Sequence, residues 1–141
     1  LLAWTAHSNS LEWPAVVLYL SGITWTLFYD TIYAHQDKED DALIGVKSTA
    51  RLFADNTPRW LLIFLISTVC LMAFAVIGAT DDRSPLSMGL ALTGVWAMGW
   101  HLHWQLKNLD MEDSEKLLRL FWSNRDAGLI PLLFFAGALF L

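Results

Sequence analysis

Asp30, Asp37 and Asp41 are spaced so that a single helix would carry all three carboxylates on one stripe. At about 100° per residue, Asp37 falls about 20° to one side of Asp30 and Asp41 about 20° to the other. Tyr29 and Tyr33 flank the stripe, Asp40 lies off it, and Glu39 takes the opposite face. Carboxylates at a helix C-terminus meet the negative end of the macrodipole, at about 0.3 to 1 kcal/mol each, and repel one another. Such a row calls for a cation. Mg²⁺ takes hard oxygen ligands, commonly one or two carboxylates plus substrate phosphates, which suits Asp37 and Asp41 at i and i+4, with Asp40 as a weaker neighbouring donor. Asp30 lies deeper, where an ionisable group at a membrane margin is costly and usually functional.

Downstream, Gly45 can break the helix, and Lys47 and Arg51 follow at i and i+4 on whatever helix restarts. Together they suit a diphosphate: Lys47 as a point charge, Arg51 as a bidentate fork, with N–H donors from the new helix N-terminus. Spacing alone leaves a second reading open, a solvated connector whose cations merely fix topology.

The elements that must position these residues are membrane helices. The chain has 141 residues, of which 55% are hydrophobic and 16% charged. Its apolar residues gather in uncharged runs at 13–29, 60–80, 86–106 and 127–141. A hydrocarbon core about 30 Å thick needs roughly 20 such residues, so the expected fold is an all-α, multi-pass transmembrane bundle of four spans. The stretch before Glu12 reads as the stub of an earlier helix. Pro14, Pro58 and Pro85 mark first helical turns, and Thr57 and Ser84 are N-cap candidates. Pro131 should kink the last span, and the segment 112–122 reads as a short amphipathic helix on the membrane surface. Lys38, Lys47, Arg51 and Arg59 in the first connection and Lys107, Lys116, Arg119 and Arg125 in the third, against Arg83 alone in the second, place connections one and three on the cytoplasmic side or its equivalent.

A net charge of -5 disfavours nucleic acid as a partner, and the single Cys70 excludes a disulfide framework. Cys70, Trp25 and Phe28 read as packing residues, and Trp13, Trp60, Trp104 and Trp122 as interfacial anchors. Gly22 and Thr26 read as a close-approach pair between helices. His35 reads as an ordinary interfacial residue. His101 and His103 lie where either could line a cavity, but two residues apart they face different sides of a helix and make a poor zinc pair.

The segment Tyr29-Asp-Thr-Ile-Tyr-Ala-His-Gln-Asp-Lys-Glu-Asp-Asp-Ala-Leu-Ile-Gly-Val-Lys-Ser-Thr-Ala-Arg-Leu-Phe53 closely resembles the second aspartate-rich motif of the UbiA-type intramembrane prenyltransferases, most of all the 4-hydroxybenzoate polyprenyltransferases of ubiquinone biosynthesis. A weaker likeness continues into Phe121-Trp-Ser-Asn124-Arg-Asp-Ala-Gly128-Leu, similar to the start of the family's last helix. The resemblance implies a nine-helix bundle around a central cavity, with residues 1–141 as the C-terminal part of one domain. It also implies Mg²⁺ held by two facing aspartate-rich motifs, the second mapping onto Asp37 and Asp41. The first motif has no counterpart here, so the chain, beginning at Leu1 without an initiator Met, is expected to be an inactive fragment.

The activity so implied is transfer of a polyprenyl group from polyprenyl diphosphate to the ring of 4-hydroxybenzoate. In it Asp37, Asp41 and Lys47 act on the leaving group, while Asp30, Tyr29, Tyr33 and Arg51 contact substrate. The lipid bilayer and the missing N-terminal half are the expected partners. A bacterial inner membrane is the expected location, with the mitochondrial inner membrane as the alternative. Two rival readings are a sister enzyme with another aromatic acceptor and a non-catalytic cation carrier. The carrier should place its acids near mid-membrane, on broken helices.

Overall fold

The computed structural model describes residues 1–36, 43, 45 and 47–141. The described residues form helices and their connections, without strands. A short helix α1 (Leu2–Ser8) precedes α2 (Trp13–Tyr33). Then come α3 (Thr49–Phe53), a 3-10 turn (Ala54–Asn56), α4 (Thr57–Ala79), α5 (Pro85–Lys107) and α6 (Ser114–Ala138). The four long helices have 21 to 25 residues, about 32 to 38 Å at 1.5 Å per residue, enough to cross a bilayer.

On length and composition, two stretches qualify as membrane spans, Trp13–Tyr33 and Thr49–Ala79. α5 and α6 match them in length but are more polar, and the structure shows why. Gln105 and Asn124 are turned inward and buried, where helix partners satisfy them, while the first half of α6 carries Glu115, Lys116, Arg119, Arg125 and Asp126. The expected surface helix at 112–122 is therefore not separate: its residues from Ser114 on are the first turns of one continuous helix that includes Pro131.

Each long helix runs antiparallel to its predecessor. Ser21 Oγ donates to the Thr68 carbonyl at 2.8 Å and Trp13 lies against Gly78, pairing α2 with α4. Ser87 Oγ donates to the Ala138 carbonyl at 2.8 Å, and His101 Nε2 lies 3.1 Å from the Ser123 carbonyl, pairing α5 with α6. α4 packs on α5, and a slimmer contact of α2 with α6 closes the set. Close approach is achieved with glycines: a Cβ on Gly94 would lie 2.5 Å from Phe134 Cβ, and one on Gly99 2.8 Å from Val69 Cγ2. The core between the helices is built from Phe28, Ile32, Leu61, Met98, Leu102 and Leu117, all with 1% exposure or less.

The end of the bundle that carries the first and third connections is thus shared by the C-termini of α2 and α5 and the N-termini of α4 and α6, as the charge count implied. Helix starts follow the proline signals, with Pro14, Pro58 and Pro85 in first turns. Ser84 caps α5, accepting from the Ser87 N–H at 3.1 Å. Thr57 is not a cap. It is the first residue of α4, and its hydroxyl donates back to the Ala54 carbonyl at 2.7 Å.

Candidate functional site

α2 and α6 touch through aromatic rings and leave an open, mostly apolar groove of about 1110 Å³ between them. Its α2 wall is Tyr19, Gly22, Ile23, Trp25, Thr26, Leu27 and Tyr29. Its α6 wall is Arg119 and Phe121 to Asp126. Tyr19, Gly22, Thr26 and Tyr29 lie three or four apart along one face because the helix repeats every 3.6 residues, with Ile23, Trp25 and Leu27 beside them. Trp25 meets Tyr29 edge to face at 5.8 Å between centroids, as does Tyr29 with Phe121 at 5.8 Å, and Tyr33 lies tilted against Phe121 at 4.8 Å at the mouth of the groove.

Behind the rings runs a buried polar network. Trp25 Nε1 donates to Asn124 Oδ1 at 3.0 Å, Asn124 Nδ2 to Gln105 Oε1 at 3.2 Å and to the Leu120 carbonyl at 3.1 Å, and Gln105 Nε2 to Ser123 Oγ at 2.8 Å. A buried amide costs free energy unless its donors and acceptors are met, so this network holds α2, α5 and α6 in one register. Gly128 leaves space for the Trp25 ring, since a Cβ there would lie 2.6 Å from it.

Trp25, expected to serve packing, packs on the core and also forms part of the groove wall, and Phe28 is core. Gly22 and Thr26 face the groove, and a Cβ on Gly22 would meet nothing within 4 Å among the described residues. His35, expected to be an ordinary residue near the headgroups, has specific partners. It is buried, with Nδ1 2.8 Å from the Thr31 carbonyl and Nε2 3.2 Å from Thr57 Oγ1, tying the turn after α2 to the start of α4. His101 and His103 separate as expected, His101 toward α6 and His103 beside Trp100. Cys70 is exposed on the outside of the bundle, where it does not pack the interior.

Of the site residues expected from sequence, Tyr29 lines the groove and Tyr33 stands at its mouth. Asp30 is exposed beside Tyr29 on the last turn of α2. Regular helix ends at Tyr33, and residues 34–36 form a turn, with Gln36 N–H bonded to the Tyr33 carbonyl at 2.9 Å. Asp37, Asp40 and Asp41 lie outside the described residues. Among the described residues no three His, Cys, Asp or Glu side chains gather as a metal site.

Gly45 has φ 78°, the left-handed conformation that glycine adopts most readily. Lys47 precedes the N-cap Ser48, so it is not on the same helix as Arg51, and a five-residue α3 offers little dipole of its own. Both cations are exposed, and α3 packs against α2 and, through Phe53 stacked on Trp60 at 4.8 Å, against α4. That brings Lys47 and Arg51 to the end of the bundle where Asp30 lies. Sequence reasoning missed Gln105 and the function of Asn124. For Gln105 the signal is an amide within an uncharged membrane run, because lipid cannot satisfy it.

Residues 1–125 match the family model described as the UbiA prenyltransferase family. The chain is similar to the protein named 4-hydroxybenzoate polyprenyltransferase, mitochondrial, in several organisms. It is 46% identical to that of Rattus norvegicus over 133 residues (92% of this chain, 33% of the relative). Identity is 45% over 136 residues to that of Homo sapiens (94% and 34%) and 42% over 132 residues to that of Arabidopsis thaliana (92% and 31%). The chain spans about a third of the length of these curated relatives. No solved structure matches it. With a family match over most of its length, and helices long and apolar enough to cross a bilayer, the chain belongs to the UbiA prenyltransferase family.

Proposed function

We propose that this chain is the C-terminal part of a membrane enzyme that transfers a polyprenyl group from polyprenyl diphosphate to the ring of 4-hydroxybenzoate. The observation that carries the reading is the aromatic groove between α2 and α6, which opens at the end of the bundle where Asp30, Lys47 and Arg51 lie. The names of the relatives add the substrate class, and their "mitochondrial" label favours the mitochondrial inner membrane over a bacterial one.

The donor set at the end of α2 fits Mg²⁺. Asp30 is exposed there, and Gln36 Oε1 in the following turn is a buried oxygen without a hydrogen-bond partner among the described residues. Both are hard oxygens, the ligands this ion takes. We assign Asp37 and Asp41, with Asp40 beside them, as the ligands from this chain. When bound, Mg²⁺ neutralises charge on the departing diphosphate.

Lys47 and Arg51 bind the same diphosphate as point charge and fork. The allylic C–O bond breaks, diphosphate leaves, and the prenyl carbon bonds to a ring carbon of the acceptor, which loses its proton. The faces of Tyr29 and Tyr33, with Phe121 and Trp25, stabilise the allylic cation by about 1 to 2 kcal/mol each when water is absent. Asp30 orients the acceptor.

The test uses the full-length protein containing this chain in liposomes, with Mg²⁺, a polyprenyl diphosphate and 4-hydroxybenzoate. The expected result is a prenylated ring, lost in Asp37→Ala and Asp41→Ala, with Lys47→Ala raising the KM for donor more than for acceptor. Full transfer by both Asp variants refutes the site, and absence of any prenylated ring in the unsubstituted protein refutes the function.

A further inference from the structure

We propose that Gly22 sets the length of prenyl chain that the groove accepts, an inference that rests on the prenyl-transfer reading above. Glycine inside a helix costs about 1 kcal/mol relative to alanine, so each one calls for a reason. Gly78, Gly94, Gly99 and Gly128 have one, since a Cβ on any of them would strike a neighbouring side chain. Gly22 has no such neighbour among the described residues and no left-handed backbone that would call for glycine. The space it leaves belongs to the groove, whose wall it shares with Tyr19, Trp25, Thr26 and Tyr29. Gly89 also has open space around it, but it is exposed and lines no part of this groove.

Position decides what the gap is for. Gly22 lies eight residues before Asp30, about 12 Å along the helix axis, on the side away from the aromatic mouth. A short prenyl chain with its diphosphate at the mouth ends before Gly22, whereas a long chain must pass it. A large side chain there closes the path to the long donor and leaves the short one its seat.

The experiment compares geranyl diphosphate with a nine-isoprene donor, using full-length protein in liposomes with Mg²⁺ and 4-hydroxybenzoate. Gly22→Leu and Gly22→Phe are expected to lower kcat/KM for the long donor about tenfold or more while changing that for geranyl by less than about threefold. Gly22→Ala and Gly89→Phe are expected to keep the unsubstituted ratio between the donors. Equal losses on both donors, or the same loss in Gly22→Ala, overturn the inference and assign Gly22 to helix packing, with the prenyl-transfer reading intact. No transfer from either donor by the unsubstituted protein overturns that reading and this inference with it. Thermal unfolding is followed for every variant, and Gly22→Leu carries the comparison if Gly22→Phe does not fold.

Discussion

Replacing Asn124 by leucine, which keeps the volume and removes the amide, tests whether the groove is held by the polar network behind it. Trp25 Nε1 loses its acceptor at 3.0 Å, and Gln105 Oε1 loses the donor at 3.2 Å. Gln105 has no exposed surface, so its orphaned oxygen costs about 1 to 3 kcal/mol. Trp25 is half-buried and faces the groove, where another partner can reach it, so its share is nearer 1 kcal/mol. The total expected is about 2 to 4 kcal/mol. A bilayer pulls it toward the lower end, because interhelical hydrogen bonds in membranes couple by about 0.6 kcal/mol on average.

The measurement is reversible unfolding of the full-length protein in bicelles, run as a double-mutant cycle of Asn124→Leu with Trp25→Phe. A coupling energy of about 0.5 to 1.5 kcal/mol is expected between the two. A loss under about 0.5 kcal/mol with no coupling refutes the reasoning, since it means that neither group depends on the other.

Gly94→Leu drives a side chain into Phe134, whose Cβ would lie 2.5 Å from the new Cβ. It should cost about 1 to 3 kcal/mol or more in the same unfolding assay, and unchanged stability contradicts the close α5–α6 contact. Ala54 has φ 43° and ψ -122°, a conformation that alanine adopts only under strain. Ala54→Gly should therefore raise stability by about 1 kcal/mol, read as a higher midpoint temperature, and a fall refutes that strain.

The helices were legible because their signals are local: uncharged runs, prolines in first turns, and Ser84 before Pro85. That the first and third connections share one end of the bundle was legible because Lys and Arg collect in them. What escaped depended on contacts between segments far apart in sequence. Nothing local shows that His35 reaches Thr57, or that Gly22 faces open space while Gly94 faces Phe134. Of the acidic row only Asp30 lies among the described residues, where regular helix ends at Tyr33. The aromatic residues nearest that row, Tyr29 and Tyr33, do meet at the groove and its mouth, through Phe121 of a helix nearly ninety positions away. The ring of Trp25 packs on the core as expected, and its second use, donating to Asn124 of a distant segment, left no local trace.

The two sets of interhelical hydrogen bonds, Ser21 and Thr24 with Thr68 on one seam and Trp25, Asn124 and Gln105 on another, bear on how the bundle assembles. In hydrocarbon, one greasy helix is as good a neighbour as another, and solvent exclusion ranks no pairing above its rivals. A helix that docks one turn out of step strands its hydroxyls and amides in a medium with nothing to offer them. These few polar groups thus work like keys cut for separate locks, rejecting misaligned encounters before the tight glycine contacts can close.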